Sequence, residues 1–545
     1  MSTRTGRRLG IAALAAVPLA VLAVFFVLPV TGMVSRGFFP DGELDLGGVL
    51  DVLRRPRVHR VLWFTVWSAG LATLVTVLVG VPVAHVLYRL VFPGRQVLRA
   101  IVSMPFVLPT VVVGVAFRTL LAESGPLGGL GLDGTPVAII AALVFFNISI
   151  VVRTVGSVWE GLDPRQEQAA AVLGASPARV FLTVTLPALR PAIMSAASVV
   201  FLFCSTAFGV VLTLGGLRYA TVETEIYLLT TQFLDLRAAA ALSVLQLLVV
   251  AVLLFVTSRT RYVGRVRQAS RGLRPSRRDV VPALITVACL AFLLAPLTTL
   301  VVRSLHAGEG WTLENYRNLT QVGADSALLI PVSEALVNSL RVAVDATLIA
   351  VALGLVVAVI VSRVPKGPGE RRALSVLDGL FMLPLGVSAV TVGFGFLITL
   401  DKPPLDLRSS SVLVPIAQAM VALPLVVRTI APVLRSIDDR QRQAAASLGA
   451  GPLRVLATVD LPLVWRPLLA GTGFAFAVSL GEFGATSFLA RPDAPTLPVV
   501  IFHLIGKPGA ENFGTALAAS VVLGAATVLV MGVVERLRVG SVGAF

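Results

Sequence analysis

Twelve apolar runs alternate with short polar segments along the chain, at roughly 11–34, 62–88, 100–122, 137–154, 191–213, 236–257, 280–302, 336–362, 374–399, 411–431, 467–489 and 512–535. A helix of about 20 apolar residues crosses a hydrocarbon layer about 30 Å thick, so the pattern predicts twelve spanning helices. The polar segments carry charge unevenly. With the N-terminus inside, the inner segments hold 30 Lys and Arg and the outer ones 13. Basic residues accumulate on the cytoplasmic side, so both termini are expected there. One outer segment dissents: residues 35–61 carry Arg36, Arg54, Arg55, Arg57 and Arg60. The first run follows Arg4, Arg7 and Arg8, as a signal peptide would, but it is long and lacks a clear small-x-small cleavage site. It reads as a retained span.

Composition sharpens this picture. Of 545 residues, 56% are hydrophobic and only 14% are charged, against about 25% charged in an ordinary globular domain. Lipid can cover that much apolar surface and water cannot. A disordered chain, a disulfide-rich secreted module and a collagen-like fibre are excluded. The net charge of +16 sits mostly in short inner loops, which marks membrane orientation rather than nucleic-acid binding. Cys204 and Cys289 lie inside apolar runs and read as small buried hydrophobes. No metal-ligand cluster is seen in the sequence. The fold class is an all-α polytopic membrane protein.

The chain also repeats itself. Residues 163–174, DPRQEQAAAVLG, match residues 438–449, DDRQRQAAASLG, at an offset of 275. Leu108-Pro109 meets Leu383-Pro384 at the same offset, Leu186-Pro187 meets Leu461-Pro462, and Thr221 meets Thr496. At 274, Gly80, Ala84 and Arg89 meet Gly354, Ala358 and Arg363. The division is a first permease-like half over 1–258, a basic cytoplasmic linker over 259–279 with eight arginines between Arg259 and Arg278, and a second half over 280–545. Six spans per half is an even number, so the halves share one topology and form a parallel repeat. A translocation path between them is the natural product of that symmetry.

The inner loop between spans four and five is the most informative segment. Asp163 is placed to cap a helix opened by Pro164, and Gly174 supplies a left-handed stop. Ser176 caps a second short helix opened by Pro177, and Leu186-Pro187 is expected to end it. The second half repeats the plan with Asp438, Gly449, Gly451-Pro452 and Leu461-Pro462. Each half thus carries a helix-turn-helix elbow on the inner face.

These elbows resemble the EAA loop of ATP-binding-cassette importer permeases: Glu-Ala-Ala, three residues, Gly, nine residues, Ile/Val, one residue, Leu-Pro. Here nine residues separate Gly174 from Val184-Thr185-Leu186-Pro187, and Gly449 from Val459-Asp460-Leu461-Pro462. The resemblance implies a fused permease with the type I importer transmembrane fold, in two parallel repeats of about six helices. It implies that the elbow residues Glu167, Gln168, Ala169, Ala170, Gly174 and Pro187, with Gln443, Ala444, Ala445, Gly449 and Pro462, dock on an ATPase dimer at the cytoplasmic face. One departure stands out. The family's glutamate position is Gln168 in the first elbow and Gln443 in the second; Glu167 stands beside the former and Arg442 beside the latter. No Gly-x4-Gly-Lys-Ser/Thr occurs, so ATP and magnesium are expected on the partner ATPase, with no cofactor or catalytic residue in this chain. A Gly-x-Gly-x-x-Gly at Gly129, Gly131 and Gly134 has no preceding strand and reads as a flexible turn.

Segments after the elbows hint at the cargo. Residues 202–209 with 221–227 are similar to the fused permeases of thiamine importers, and residues 479–484 with 496–498 to both thiamine and ferric-iron permeases. The resemblance implies delivery by an extracytoplasmic binding protein and a place in the bacterial inner membrane, with no nucleic-acid partner. Cys204, Ser205 and Thr206, read as mid-span, and Ser479 and Glu482 are candidates for the substrate path. Glu223 and Glu225, read as an outer loop, are candidates for binding-protein contact. The competing reading is an ion-coupled secondary transporter with two six-span halves. It needs intramembrane charges as relays, and the chain offers few: Glu482, Arg118, Asp345 and Arg341. A membrane enzyme ranks last, for want of a metal motif, a nucleophile elbow or an acid-base cluster.

Overall fold

A computed structural model describes residues 14–40, 42–260, 273–308, 310–321, 328–363, 367–382, 387–401, 403 and 405–538. Twelve helices organise it. In the first half these are α1 (Leu14–Phe38), α2 (Pro56–Arg89), α3 (Pro136–Glu160), α4 (Pro164–Val172), α5 (Pro177–Ser205) and α6 (Leu236–Thr260). In the second they are α7 (Val280–Ser304), α8 (Val332–Val361), α9 (Leu413–Ser436), α10 (Asp439–Ser447), α11 (Pro452–Leu480) and α12 (Ala510–Arg538). A short hairpin pairs His306–Ala307 with Gly310–Trp311.

The twelve runs do not all correspond to single described helices. Among the described residues ten helices are long and apolar enough to cross a membrane, or eleven if one bent pair is a single span. That pair, Arg95–Val107 and Thr110–Leu121, occupies the run at 100–122 and bends by 104°. Pro109 holds Leu108 in an extended conformation, φ −66° and ψ 142°, which no helix accommodates. The run at 374–399 falls on two described helices, Pro368–Met382 and Ala389–Thr399. Its Leu383-Pro384 lies outside the described residues. The runs at 191–213 and 467–489 overstep their helices: α5 stops at Ser205 and α11 at Leu480. Hydropathy registers none of these breaks, because the residues around them are as apolar as the helices.

The molecule divides into two compact units that do not follow sequence order. One comprises residues 50–228 and 245–312; the other comprises the chain up to Val49, residues 229–244, and the chain from Leu313. In the first unit α2, α3 and α5 pack on one another, and α7 lies against α2 and Thr110–Leu121. In the second, α8, α9 and α11 form the matching triplet, and α1 lies against Ala389–Thr399. The leading span of each half therefore packs with the core of the other. The linker at 259–279 marks the sequence repeat; residues 261–272 of it lie outside the described residues. Its far end is stitched to α2: the Leu273 amide donates to the Arg89 carbonyl at 2.9 Å, and His85 pairs with Asp279 at 2.8 Å.

Both triplets use the same close approach. A Cβ at Gly80 of α2 would lie 2.7 Å from Val151 of α3, and one at Gly354 of α8 would lie 2.7 Å from Val426 of α9. Helices surrounded by lipid gain little from hydrophobic exclusion and associate through such small-residue contacts. The repeat had already aligned these two glycines.

Candidate functional site

The two elbows are built from the same local parts. The Asp163 carboxylate accepts the Arg165 amide at 3.0 Å, and that of Asp438 accepts the Arg440 amide at 2.9 Å. Each caps a nine-residue helix, α4 or α10. Gly174 (φ +84°) and Gly449 (φ +83°) end these helices in the left-handed region. The Ala175 amide donates to the Ala170 carbonyl and the Gly174 amide to that of Ala171, at 3.1 and 3.0 Å. Ala450 to Ala445 and Gly449 to Ala446 repeat those bonds at the same distances. This double closure satisfies carbonyls the helix end would leave open. A side chain at either glycine would meet nothing within 4 Å, so the backbone angle alone demands glycine.

The expected stop at Leu-Pro is corrected. Leu186 (φ −62°, ψ −44°) and Leu461 (φ −61°, ψ −43°) are helical. A five-residue π turn, Phe181–Thr185 or Leu456–Asp460, precedes each and carries the chain straight into the span. Pro187 and Pro462 sit just beyond it, within the first two positions of the resumed α-helix, where a missing amide is tolerated. The elbow's second arm is therefore continuous with α5 or α11, and displacement of the elbow moves a spanning helix directly.

The outward face of the first arm is nearly the same in both elbows. Asp163, Arg165, Gln166, Gln168, Ala169, Ala171, Leu173 and Gly174 are exposed, and each has an identical, exposed counterpart 275 residues on. Between 163 and 174 the one exposed difference is Val172, replaced by Ser447; in the second arm the exposed Ser176, Ala178 and Leu182 become Gly451, Leu453 and Ala457. Leu173 and Leu448 are 87% and 89% exposed beside the helix stop. Ala170 and Ala445 are half-buried.

The inward side differs. Glu167 on α4 accepts from Arg89, at the inner end of α2, at 2.6 Å and from the Thr185 hydroxyl at 2.9 Å. Arg89 also donates to the Leu162 carbonyl. At the matching site of α10 stands Arg442, whose guanidinium donates to Asp460 at 2.8 Å, to Asp439 at 2.9 Å and to the Leu434 carbonyl at 2.9 Å. Arg363, after the end of α8, lies 3.8 Å from the other oxygen of Asp460. Burial alone would lower the pKa of Arg442, but the hydrogen bonds to Asp460 and Asp439 outweigh it and raise it above the ordinary arginine value. Sequence reasoning missed Arg89, Thr185, Arg363 and Asp460 as members of these clusters. A signal was present: at offset 275, positions 167 and 185 change together, Glu and Thr becoming Arg and Asp.

The remaining candidates are scattered and mostly enclosed. Cys204 is buried at the end of α5, where the Asn147 amide donates to its sulfur at 3.4 Å. Ser205 and Thr206 bond back to the Leu202 carbonyl. All three therefore stand at the end of α5. The outer-loop reading of Glu223 and Glu225 is corrected: both lie in the helix Val222–Thr231 and are almost wholly buried. Glu225 accepts two bonds from Arg57, at 2.6 and 2.9 Å, and Glu223 accepts one from Gln246 at 3.2 Å. This pairing also neutralises one of the five arginines in the dissenting outer segment. Ser479 is buried, with no hydrogen-bond partner for its hydroxyl. Glu482 turns inward and accepts from the Ala485 and Thr486 amides and the Thr486 hydroxyl. Its carboxylate organises the turn between α11 and Thr486–Leu489. No group of three or more metal-ligating side chains occurs among the described residues.

The model of the family described as "Binding-protein-dependent transport system inner membrane component" matches twice, at residues 76–268 and 350–538. The thiamine transport system permease protein ThiP of Escherichia coli is 29% identical over 82% of this chain and 83% of its own. ThiP of Brucella abortus is 26% identical over the full length of both chains. Among solved structures, a chain of a bacterial ABC transporter that imports the acidic polysaccharide alginate aligns with 48% of this chain and 99% of its own, at 18% identity and a TM-score of 0.42.

Proposed function

The chain belongs to the family of binding-protein-dependent transport system inner membrane components, and from that premise we propose that it is the thiamine-carrying permease of an importer driven by a separate ATPase. It is a multi-pass membrane permease with two family repeats in one chain. The observation that carries the rest is the doubled elbow, whose coupling helices, from the aspartate cap to the glycine stop, match at every exposed position but one. Two like faces on one chain suit two copies of one partner. That partner is an ATPase dimer on the cytoplasmic side, holding ATP and magnesium, and the exposed Leu173 and Leu448 are its apolar contacts. An extracytoplasmic binding protein delivers the solute to the opposite face. Both termini lie in the cytoplasm, on the side of the basic loops. Thiamine is favoured over iron(III) because relatives matched along the whole chain are named as thiamine permeases.

The test is uptake into proteoliposomes holding this chain with its ATPase and binding protein. Thiamine is expected to stimulate ATP hydrolysis and to accumulate, and ferric iron to do neither. Stimulation by iron alone overturns the cargo. Uptake driven by a proton or sodium gradient without ATP overturns the mechanism.

A further inference from the structure

Little apolar burial holds the coupling helices in place: Ala170 and Ala445 are half-buried. No residue of α4 is buried, and in α10 Arg442 is the buried one. A nine-residue helix is marginal by itself in water, so its attachment to the spans must come from polar contacts on its inward side. In both halves those contacts join the same three elements: the inner end of the second span, the coupling helix, and the π turn that leads into the fifth span. The end of the second span supplies a cation in each case, Arg89 or Arg363. A carboxylate answers it in each case, but on different elements. It is Glu167 on the coupling helix in the first half and Asp460 on the π turn in the second. The third position takes the complementary partner, Thr185 as a neutral donor or Arg442 as a cation. Putting arginine at 442 with threonine still at 460 would have set a second guanidinium beside Arg363 with Asp439, on the coupling helix itself, as the one acid near them in the clasp. The two changes are compensatory, and they leave the outward face untouched.

We propose that this charge-permuted clasp is the transmission joint of each half. Arg89, Glu167 and Thr185 in one half, and Arg363, Arg442 and Asp460 in the other, are positioning residues that bind the coupling helix to its two spans, so that movement imposed on the elbow reaches both spans as one displacement. The proposal rests on the elbows being docking segments. A clasp that only kept the elbow folded would be needed equally for docking and for coupling. A transmission joint is needed for coupling after docking is complete.

The test therefore reads both. In reconstituted complexes, Glu167→Gln keeps the shape of the side chain and removes its charge. The ATPase is expected to copurify as with the native chain, while thiamine transported per ATP hydrolysed falls about tenfold, the factor for one lost charge-assisted bond of about 1.4 kcal/mol. Glu167→Arg should be worse. Glu167→Arg with Thr185→Asp rebuilds the Arg442–Asp460 pair of the second-half clasp in the first half and is expected to restore most of the native ratio. Arg442→Glu with Asp460→Thr makes the reverse transplant and should do the same. The proposal is overturned if both double variants are no better coupled than their charge-reversed single parents, or if Glu167→Gln couples normally. It is also overturned if copurification and coupling fall in equal proportion in Glu167→Gln, which is the mark of a folding role. Failure of the native chain to bind any ATPase refutes the docking reading instead, and is seen before any variant is made.

Discussion

In the first elbow the carboxylate facing the second span's arginine stands on the coupling helix and is 23% exposed; in the second it stands on the π turn and is 1% exposed. The outward faces of the same two coupling helices differ at one residue. Within these helices divergence thus falls on the side that meets the protein's own spans, and sameness on the side that meets water. A surface shared with one external partner cannot drift in one copy without losing that partner. An internal contact can be rebuilt, provided its charges still cancel. The second solution is also the more enclosed, and a buried ion pair that loses one member leaves a charge that water cannot reach.

The largest expected effect separates the halves. Asp460→Asn takes from Arg442 its fully buried carboxylate partner and should cost about 3 kcal/mol of stability, whereas Glu167→Gln, closer to water, should cost about 2 kcal/mol. Thermal unfolding of the purified permease checks the order, and an equal or reversed fall in Tm breaks the comparison. Next come the two glycines, where the halves should agree. Gly174→Val and Gly449→Val each force a branched residue to positive φ, at about 2 kcal/mol, with no clash to add. Equal losses of bound ATPase are expected, measured by copurification; loss from one elbow alone contradicts the shared face. Leu173→Ser and Leu448→Ser remove an apolar contact of about 1.5 kcal/mol each, so ATPase affinity should weaken about tenfold in both, by titration in nanodiscs. The smallest effect belongs to Ser447→Val, which makes the exposed faces of the two coupling helices identical and should shift that affinity by less than about 1 kcal/mol.

Much of this was legible in the chain. Caps at Asp163 and Asp438 and left-handed stops at Gly174 and Gly449 follow from short-range backbone chemistry, which a sequence states directly. The alignment of Gly80 with Gly354 reported a packing contact through the repeat alone. Other features depend on partners distant in sequence. Glu223 and Glu225 looked like loop residues because nothing local reveals Gln246 or Arg57. Leu186-Pro187 looked like a helix stop because a residue before proline disfavours the α region, a preference that Leu186 overrides here: it is helical, and Pro187 falls in the first turn of the resumed α-helix, where its missing amide is tolerated. The bend at Pro109 was hidden by uniform hydropathy. The exchange of leading spans between units had no local signature, since α1 and α7 are apolar on every side and fit either core.

The central claim is that each elbow docks on one of two identical ATPase copies. Crosslinking tests it most directly. With a cysteine at Ala169 or at Ala444, both exposed, and with native Cys204 and Cys289 buried, each single-cysteine elbow should crosslink to the same position of the ATPase, and together they should capture two copies. Crosslinking from one elbow only, from neither, or to different ATPase surfaces would contradict the account.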